Sequence, residues 1–281
     1  MRLGAPIYED YTDSEAYFAK IKSLGYGAAY CPLSGDESDD EIAAFEKAAA
    51  QAGIIIAEVG AWGNNPLSPD EAASKEAIAN IQEKLALADK VGARCCVNVA
   101  GSRDPDSWAG PHMHNLDEDV FDQVVEVARA IIDGVKPTRT YFTLEMMPWM
   151  FPDSADSYLE LIEAIDRERF AVHLDPVNIV CTPRAYFYNA DLLRECFEKL
   201  GPHIRSIHAK DMIMKRDMPI TIHEILPGKG ALDYVTFLKE ANKLDPDVPF
   251  MLEHLQSPEE YAEATQYVRE QAKLGGVEFV I

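Results

Sequence analysis

Four side chains able to hold a metal ion or move a proton stand at the ends of four short apolar runs. Glu145 closes Tyr141-Phe142-Thr143-Leu144, and Asp175 closes Ala171-Val172-His173-Leu174. His208 closes Ile204-Arg205-Ser206-Ile207, and Glu253 closes Pro249-Phe250-Met251-Leu252. A carboxylate is expensive to bury unless a cation or a proton compensates it. Three carboxylates and one imidazole form a hard, oxygen-dominated donor set, which suits Mn²⁺ first and Mg²⁺, Co²⁺ or Zn²⁺ as alternatives. Each residue alone has a plainer reading, a loop salt bridge for a glutamate or a satisfied core position for a histidine. Four successive runs that end alike favour one shared site.

The segments that must position these residues alternate along the chain. Apolar runs predict strands over residues 2–6, 28–31, 54–60, 94–100, 141–145, 170–175, 204–208 and 248–253. Between and after them, helical periodicity covers 14–24, 39–52, 68–91, 117–135, 154–167, 190–200, 231–243 and 257–274. Ser14 is the expected cap of the first helix, and Gly53 and Gly92 are the expected stops of the second and third. Residues 101–115 form a long polar loop, and a loop of that length in a compact domain is usually functional. Residues 211–230 are irregular, with a short β-segment at 221–225. Strands that read as continuous apolar runs belong to a parallel sheet covered by helices. Eight such units predict a single (β/α)8 TIM barrel spanning residues 1–281, with its chemistry at the C-terminal strand ends. A doubly wound open sheet is the competing arrangement, but no glycine-rich phosphate loop follows the first strand.

The 281 residues carry 26 Lys+Arg against 48 Asp+Glu, a net charge of −22, with an ordinary apolar share of 47%. Such a surface repels polyanions, so nucleic acid and anionic membranes are poor partners and a small molecule is the expected one. The five cysteines are scattered, without CxxC spacing, which predicts reduced thiols and a cytoplasmic location. The start Met1-Arg2-Leu3-Gly4-Ala5-Pro6 does not read as a signal peptide, and no apolar run is long enough to span a membrane. Homo-oligomerisation or a partner subunit is compatible with all of this.

The endings Leu144-Glu145, His173-Leu174-Asp175, Ile207-His208-Ala209-Lys210-Asp211 and Leu252-Glu253-His254, with Leu226-Pro227-Gly228-Lys229-Gly230 before a helix, resemble the xylose isomerase-like TIM barrels. That family includes ketose 3-epimerases and inosose dehydratase, and the resemblance runs over essentially the whole chain. It implies that Glu145, Asp175, His208 and Glu253 bind a divalent metal, and that Glu145 and Glu253 also move protons. One departure concerns the position three residues after the strand-six aspartate, where many relatives have histidine and this chain has Asn178. A second is Asn98 at the fourth strand end, where the related endonuclease IV carries one histidine of a three-zinc cluster. Both departures, with the net charge, weigh against DNA repair.

Asn98 and Asn178 then become candidate substrate contacts, as does Lys210, which shares strand parity with His208. For Lys210 a salt bridge to Asp211 or another loop acid is the bland alternative. Trp62 and Trp149 would suit the apolar face of a sugar ring, or else pack at the rim. His223, in the loop after strand seven, is a candidate substrate contact. His173 is expected in the core with a hydrogen-bonded structural role. Glu58 is a weaker candidate as a substrate acceptor, His112 and His114 read as exposed loop residues, and Asp36 to Glu41 as a solvated helix start. The expected function is a metal-dependent sugar isomerase or epimerase acting by proton abstraction next to a carbonyl. Alternatives are a dehydratase or lyase on keto-sugars, inososes or keto-glycosides, including C-glycoside cleavage, and a non-catalytic sugar-binding or scaffold subunit.

Overall fold

Consecutive apolar residues pair edge to edge in the computed structural model, which describes residues 1–281. The strands are β1 (Arg2–Gly4), β2 (Ala28–Ala29), β3 (Ile55–Ile56), β4 (Glu58–Gly60), β5 (Cys95–Asn98), β6 (Phe142–Glu145), β7 (Phe170–Leu174), β8 (Ile204–Ala209), β9 (Asp211–Lys215), β10 (Thr221–Ile225) and β11 (Pro249–Leu252). All but β9 and β10 form one parallel sheet in the order β3-β2-β1-β11-β8-β7-β6-β5-β4. The two ends of that order, β3 and β4, are halves of the single predicted third strand, interrupted only at Ala57. Across the break the Ala57 amide donates to Ala29 and the Ile56 carbonyl accepts from Arg94, so hydrogen bonds run to both neighbours and the ring closes. The result is a (β/α)8 barrel of eight staves.

The helices are α1 (Ser14–Ser23), α2 (Asp39–Ala52), α3 (Glu71–Val91), α4 (Glu118–Val135), α5 (Ala155–Ile165), α6 (Pro183–Phe187), α7 (Asn189–Leu200), α8 (Tyr234–Ala241) and α9 (Pro258–Gly275). Capping chemistry sets most boundaries. Ser38 and Glu41 form a reciprocal capping box at α2, while Asp70 and Ser257 cap α3 and α9. Gly53 and Gly92 end α2 and α3 in the left-handed conformation, as expected. The cap of α1 is Asp13 rather than Ser14, because Asp13 is extended and its carboxylate accepts the Ala16 amide at 2.8 Å. Helix α6 has no counterpart among the predicted helices. It is five residues long, buries none of them, and so lacks an apolar period, although Thr182 caps it and Pro183 opens it.

Inside the barrel, Ala28, Ala57 and Met251 make a small cluster of their own, apart from the main core of 67 residues between sheet and helices. Gly4 borders it: a Cβ there would lie 2.5 Å from the Met251 sulfur, so only glycine admits that side chain. No helix is long and apolar enough to cross a membrane.

The register of β7 slips between Val172 and His173, next to the future site. The buried Tyr158 hydroxyl stitches this place together, accepting the Leu144 and His173 amides and facing the Leu144 and Ala171 carbonyls at 2.7 and 3.0 Å. Tyr158→Phe would strand buried backbone groups on two adjacent strands. It is expected to lower stability by about 1–3 kcal/mol in urea unfolding, with an unchanged far-UV spectrum.

Candidate metal centre

Strand endings deliver the four predicted donors to one point. Glu145 is the last residue of β6, Asp175 and Glu253 follow directly on β7 and β11, and His208 lies near the end of β8. One donor atom from each lies within 4.8 Å of all the others. His208 Nδ1 is central, 2.9 Å from Glu253 Oε2, 3.9 Å from Glu145 Oε1 and 4.0 Å from Asp175 Oδ2. Period-two alternation along β8 turns Ser206, His208 and Lys210 to the same interior side. Lys210 Nζ reaches Asp175 at 2.7 Å and Glu253 at 2.9 Å, with Glu145 at 3.6 Å.

A layer deeper, Glu58 of β4 accepts the Ser206 hydroxyl at 2.9 Å and faces His208 Nε2 at 3.1 Å. Its carboxylate therefore orients the imidazole, with Nε2–H donated inward and Nδ1 directed toward the three acids. A carboxylate behind a histidine is the usual outer partner of a metal ligand. Glu58, the weaker candidate for a substrate acceptor in the sequence, lies beneath the cluster with its two oxygens on Ser206 and His208. Its position at the end of the apolar third strand was the available signal.

The donor set fits a cation. His208 Nδ1, Asp175 Oδ2 and Glu253 Oε2 are buried and make no aligned hydrogen bond, although charged neighbours lie within ion-pair distance. The three atoms converge on one shared space, which is how ligands of one ion are disposed. Four carboxylates (Glu58, Glu145, Asp175, Glu253) also face only two cationic side chains, His208 and Lys210, leaving the cluster two positive charges short.

Protonation equilibria register that shortage. Burial pushes the Asp175 carboxyl up to about 7, aided by the nearby Glu145 and Glu253 charges against the pull of Lys210. Burial also works against ionised Glu253, but His208 and Lys210 overcome it and hold that carboxyl down at about 2. Glu145 is likewise buried, and His208 and Lys210 keep it well below the usual carboxylate range. Burial opposes the charged forms of His208 and Lys210, yet the surrounding carboxylates raise both well above their ordinary values. His173 goes the other way, lowered to about 4 by burial and by the adjacent His208.

The remaining predicted residues divide. Asn178 does join the cluster, its amide donating to Glu145 Oε1 at 2.7 Å and to the Met146 carbonyl. Lys210 is in the cluster itself and makes no pair with Asp211. Trp62 sits above it, ring centroid 6.5 Å from that of His208 and 39% exposed. Trp149 is half-buried and ties the 101–115 loop down through the Ala109 carbonyl, 2.9 Å from its Nε1. Asn98 is buried and holds the Asn64 carbonyl, with its own Oδ1 unpartnered. His223 is not brought to the cluster: it is exposed on β10, and alternation turns its neighbour Glu224 inward to 3.9 Å from Lys210. His173 does occupy the interior, but both ring nitrogens lack hydrogen bonds, so the expected hydrogen-bonded role is corrected. Its Nδ1 is 3.5 Å from Glu58 Oε2. Glu224 carries no signal in the sequence because it lies outside the apolar runs, and His254 appears there only as the last residue of the Leu252-Glu253-His254 ending.

A model of the xylose isomerase-like TIM barrel family matches residues 18–271. No curated protein matches the sequence. Among solved structures, a xylose isomerase-like TIM barrel protein from Mycobacterium smegmatis in complex with magnesium is similar at 17% identity, over 98% of this chain and 97% of that one, with a TM-score of 0.67. Endonuclease IV from Thermus thermophilus is similar at 16% identity, over 98% and 100% of the two chains, with a TM-score of 0.75. D-psicose 3-epimerase from Clostridium cellulolyticum, with D-tagatose, is similar at 15% identity, over 99% and 100%, with a TM-score of 0.70. Likeness at these identities establishes the fold.

One acid outside the cluster builds the rim around it. The buried Asp211 carboxylate accepts the amides of Met212, Gly228, Gly230 and Leu232 at 2.8 to 3.1 Å. This explains the Leu226-Pro227-Gly228-Lys229-Gly230 segment: its backbone wraps an anion, and a Cβ on Gly230 would lie 2.2 Å from Asp211 Oδ1. Asp211→Ala would leave four amides without their acceptor, expected to cost about 3 kcal/mol. Limited proteolysis should then cut selectively within 212–232 while the rest of the barrel resists.

Proposed function

The chain belongs to the xylose isomerase-like TIM barrel family, and on that premise we propose that it is a divalent-metal-dependent enzyme that removes a proton next to a carbonyl of a sugar or sugar derivative, as an isomerase or epimerase. The observation that carries this reading is the convergence of Glu145, Asp175, His208 and Glu253 within 4.8 Å, with buried donor atoms that no hydrogen bond satisfies. A divalent cation bound there with neutral His208 would bring the cluster within one charge of neutrality. The D-psicose 3-epimerase among the structural neighbours supports the choice of substrate class. The net charge of −22 favours a small molecule over nucleic acid.

The chemistry divides among the chain's own groups. When bound, a cation of this kind withdraws charge from a carbonyl and so eases loss of the neighbouring proton. Asn178 holds Glu145 Oε1 in the cluster, while Glu145 Oε2 makes no hydrogen bond within the chain and is available as the base. Glu253, at the end of another strand, is the second carboxylate and the group to return a proton on the other side. Glu58 keeps His208 in the tautomer that presents Nδ1. Lys210, already within 2.9 Å of Glu253, supplies a fixed positive charge for a developing oxyanion. Trp62 offers an apolar face at the mouth.

The test is solvent-deuterium incorporation across a panel of keto-sugars, inososes and keto-glycosides with added Mn²⁺. Incorporation at carbon without loss of a group is the expected outcome; release of water or of an aglycone would move the assignment to a lyase. Glu145→Gln should lower turnover roughly 10²- to 10⁴-fold on any substrate that exchanges, and full turnover in that variant would remove Glu145 from proton transfer. Mn²⁺ at about 100 times its dissociation constant should add about 2.7 kcal/mol of stability. A purified protein that takes up no divalent ion would overturn the metal-dependent reading.

A further inference from the structure

Backbone geometry singles out a residue beside the cluster. Three non-glycine residues adopt the left-handed conformation: Lys136 at φ 55°, Asp166 at φ 48° and His254 at φ 60°. The first two terminate α4 and α5, where their amides cap the Ile132 and Ile162 carbonyls, a common use of that conformation. His254 terminates no helix. It follows Glu253 at the end of a barrel strand, and a bulky ring there is disfavoured unless its surroundings require it.

We propose that His254 is a positioning residue that fixes the Glu253 carboxylate, an inference that rests on the metal-centre reading above. The left-handed turn folds the imidazole back over the strand end, which puts Nε2 3.4 Å from Glu253 Oε1. Its other nitrogen, Nδ1, is 3.1 Å from Glu224 Oε2 on β10. Glu253 is thereby divided between two tasks. Oε2 faces inward to His208 and Lys210, both at 2.9 Å, whereas the imidazole is the only charged or hydrogen-bonding neighbour of Oε1. Without that ring only the Oε2 contacts hold the carboxylate, and Oε1 has no partner. With it, one oxygen stays on the cation side and the other toward the mouth. Glu224 holds the ring in turn, so the β9–β10 hairpin becomes part of the support for a barrel-strand residue. The strained backbone is then the means by which a residue next in sequence to Glu253 can also lie against its outer edge.

His254→Gly tests this, because glycine removes the imidazole and also relieves the backbone. The melting temperature should stay the same or rise, while Mn²⁺ affinity measured by calorimetry falls at least tenfold and the Mn²⁺ spin-resonance spectrum changes. His254→Gln, which keeps a donor of similar reach, should recover part of the affinity. Glu253→Gln is the companion variant and should bind Mn²⁺ weakly. If Glu253→Gln is weak but His254→Gly binds Mn²⁺ within twofold of the unaltered protein, the positioning role is wrong and the metal centre stands. If both variants bind as the unaltered protein does, the metal centre itself is wrong.

Discussion

Concentrating four carboxylates at one end of a barrel, three of them buried and Glu253 nearly so, is the constraint on which the site depends. Isolated buried carboxylates would protonate or unfold their surroundings. Here they are compensated in pairs: His208 lies between Glu58 and Glu253, and Lys210 between Asp175 and Glu253. The compensation is incomplete by two charges, and Asp175, pushed up to about 7, is where the shortage appears. A cluster balanced in this way is prepared for a cation.

Support for the cluster comes in layers that differ in kind. Below it, Glu58 and Ser206 set the direction of one imidazole. Beside it, Asn178 and the Tyr158 hydroxyl hold the segments β6 and β7 and the loop beyond them. Around it, Asp211 gathers backbone amides from a segment that would otherwise have no regular structure, and Trp149 pins the long 101–115 loop. That loop is further tied internally, with Ser102 and Asn115 both donating to the Gly110 carbonyl.

Much of this was legible in the sequence. An apolar run ending in Glu, Asp or His announces a buried strand that leads to a polar site, and four such runs in an alternating chain left little choice of architecture. The stops of α2 and α3 at Gly53 and Gly92 were readable because glycine takes the left-handed conformation at little cost. The exceptions follow the limits of local signals. The cap of α1 shifted to Asp13, one residue from the expected Ser14, because two adjacent polar residues offer the same chemistry. Helix α6 went unseen because it buries nothing. His223 is a candidate in the sequence and Glu224 is not, whereas hairpin alternation turns Glu224 toward Lys210.

By itself, then, the amino-acid sequence determined the barrel strands, their parity, the barrel and the identity of the four converging groups, but not β9, which lies where irregular structure is expected. These follow from period-two alternation and from the high cost of burying charge, both of which act along the chain. The tertiary structure alone decided the partnerships. That Glu58 serves His208 across 150 residues, that Lys210 enters the carboxylate cluster and avoids its neighbour Asp211, and that His173 is buried without a hydrogen bond all depend on barrel closure. The backbone turn of His254 belongs to the same class, since its reason lies in Glu224, thirty residues away along the chain. Pairing between side chains is set by the distance that remains once the sheet has closed, and no spacing in the sequence encodes that distance.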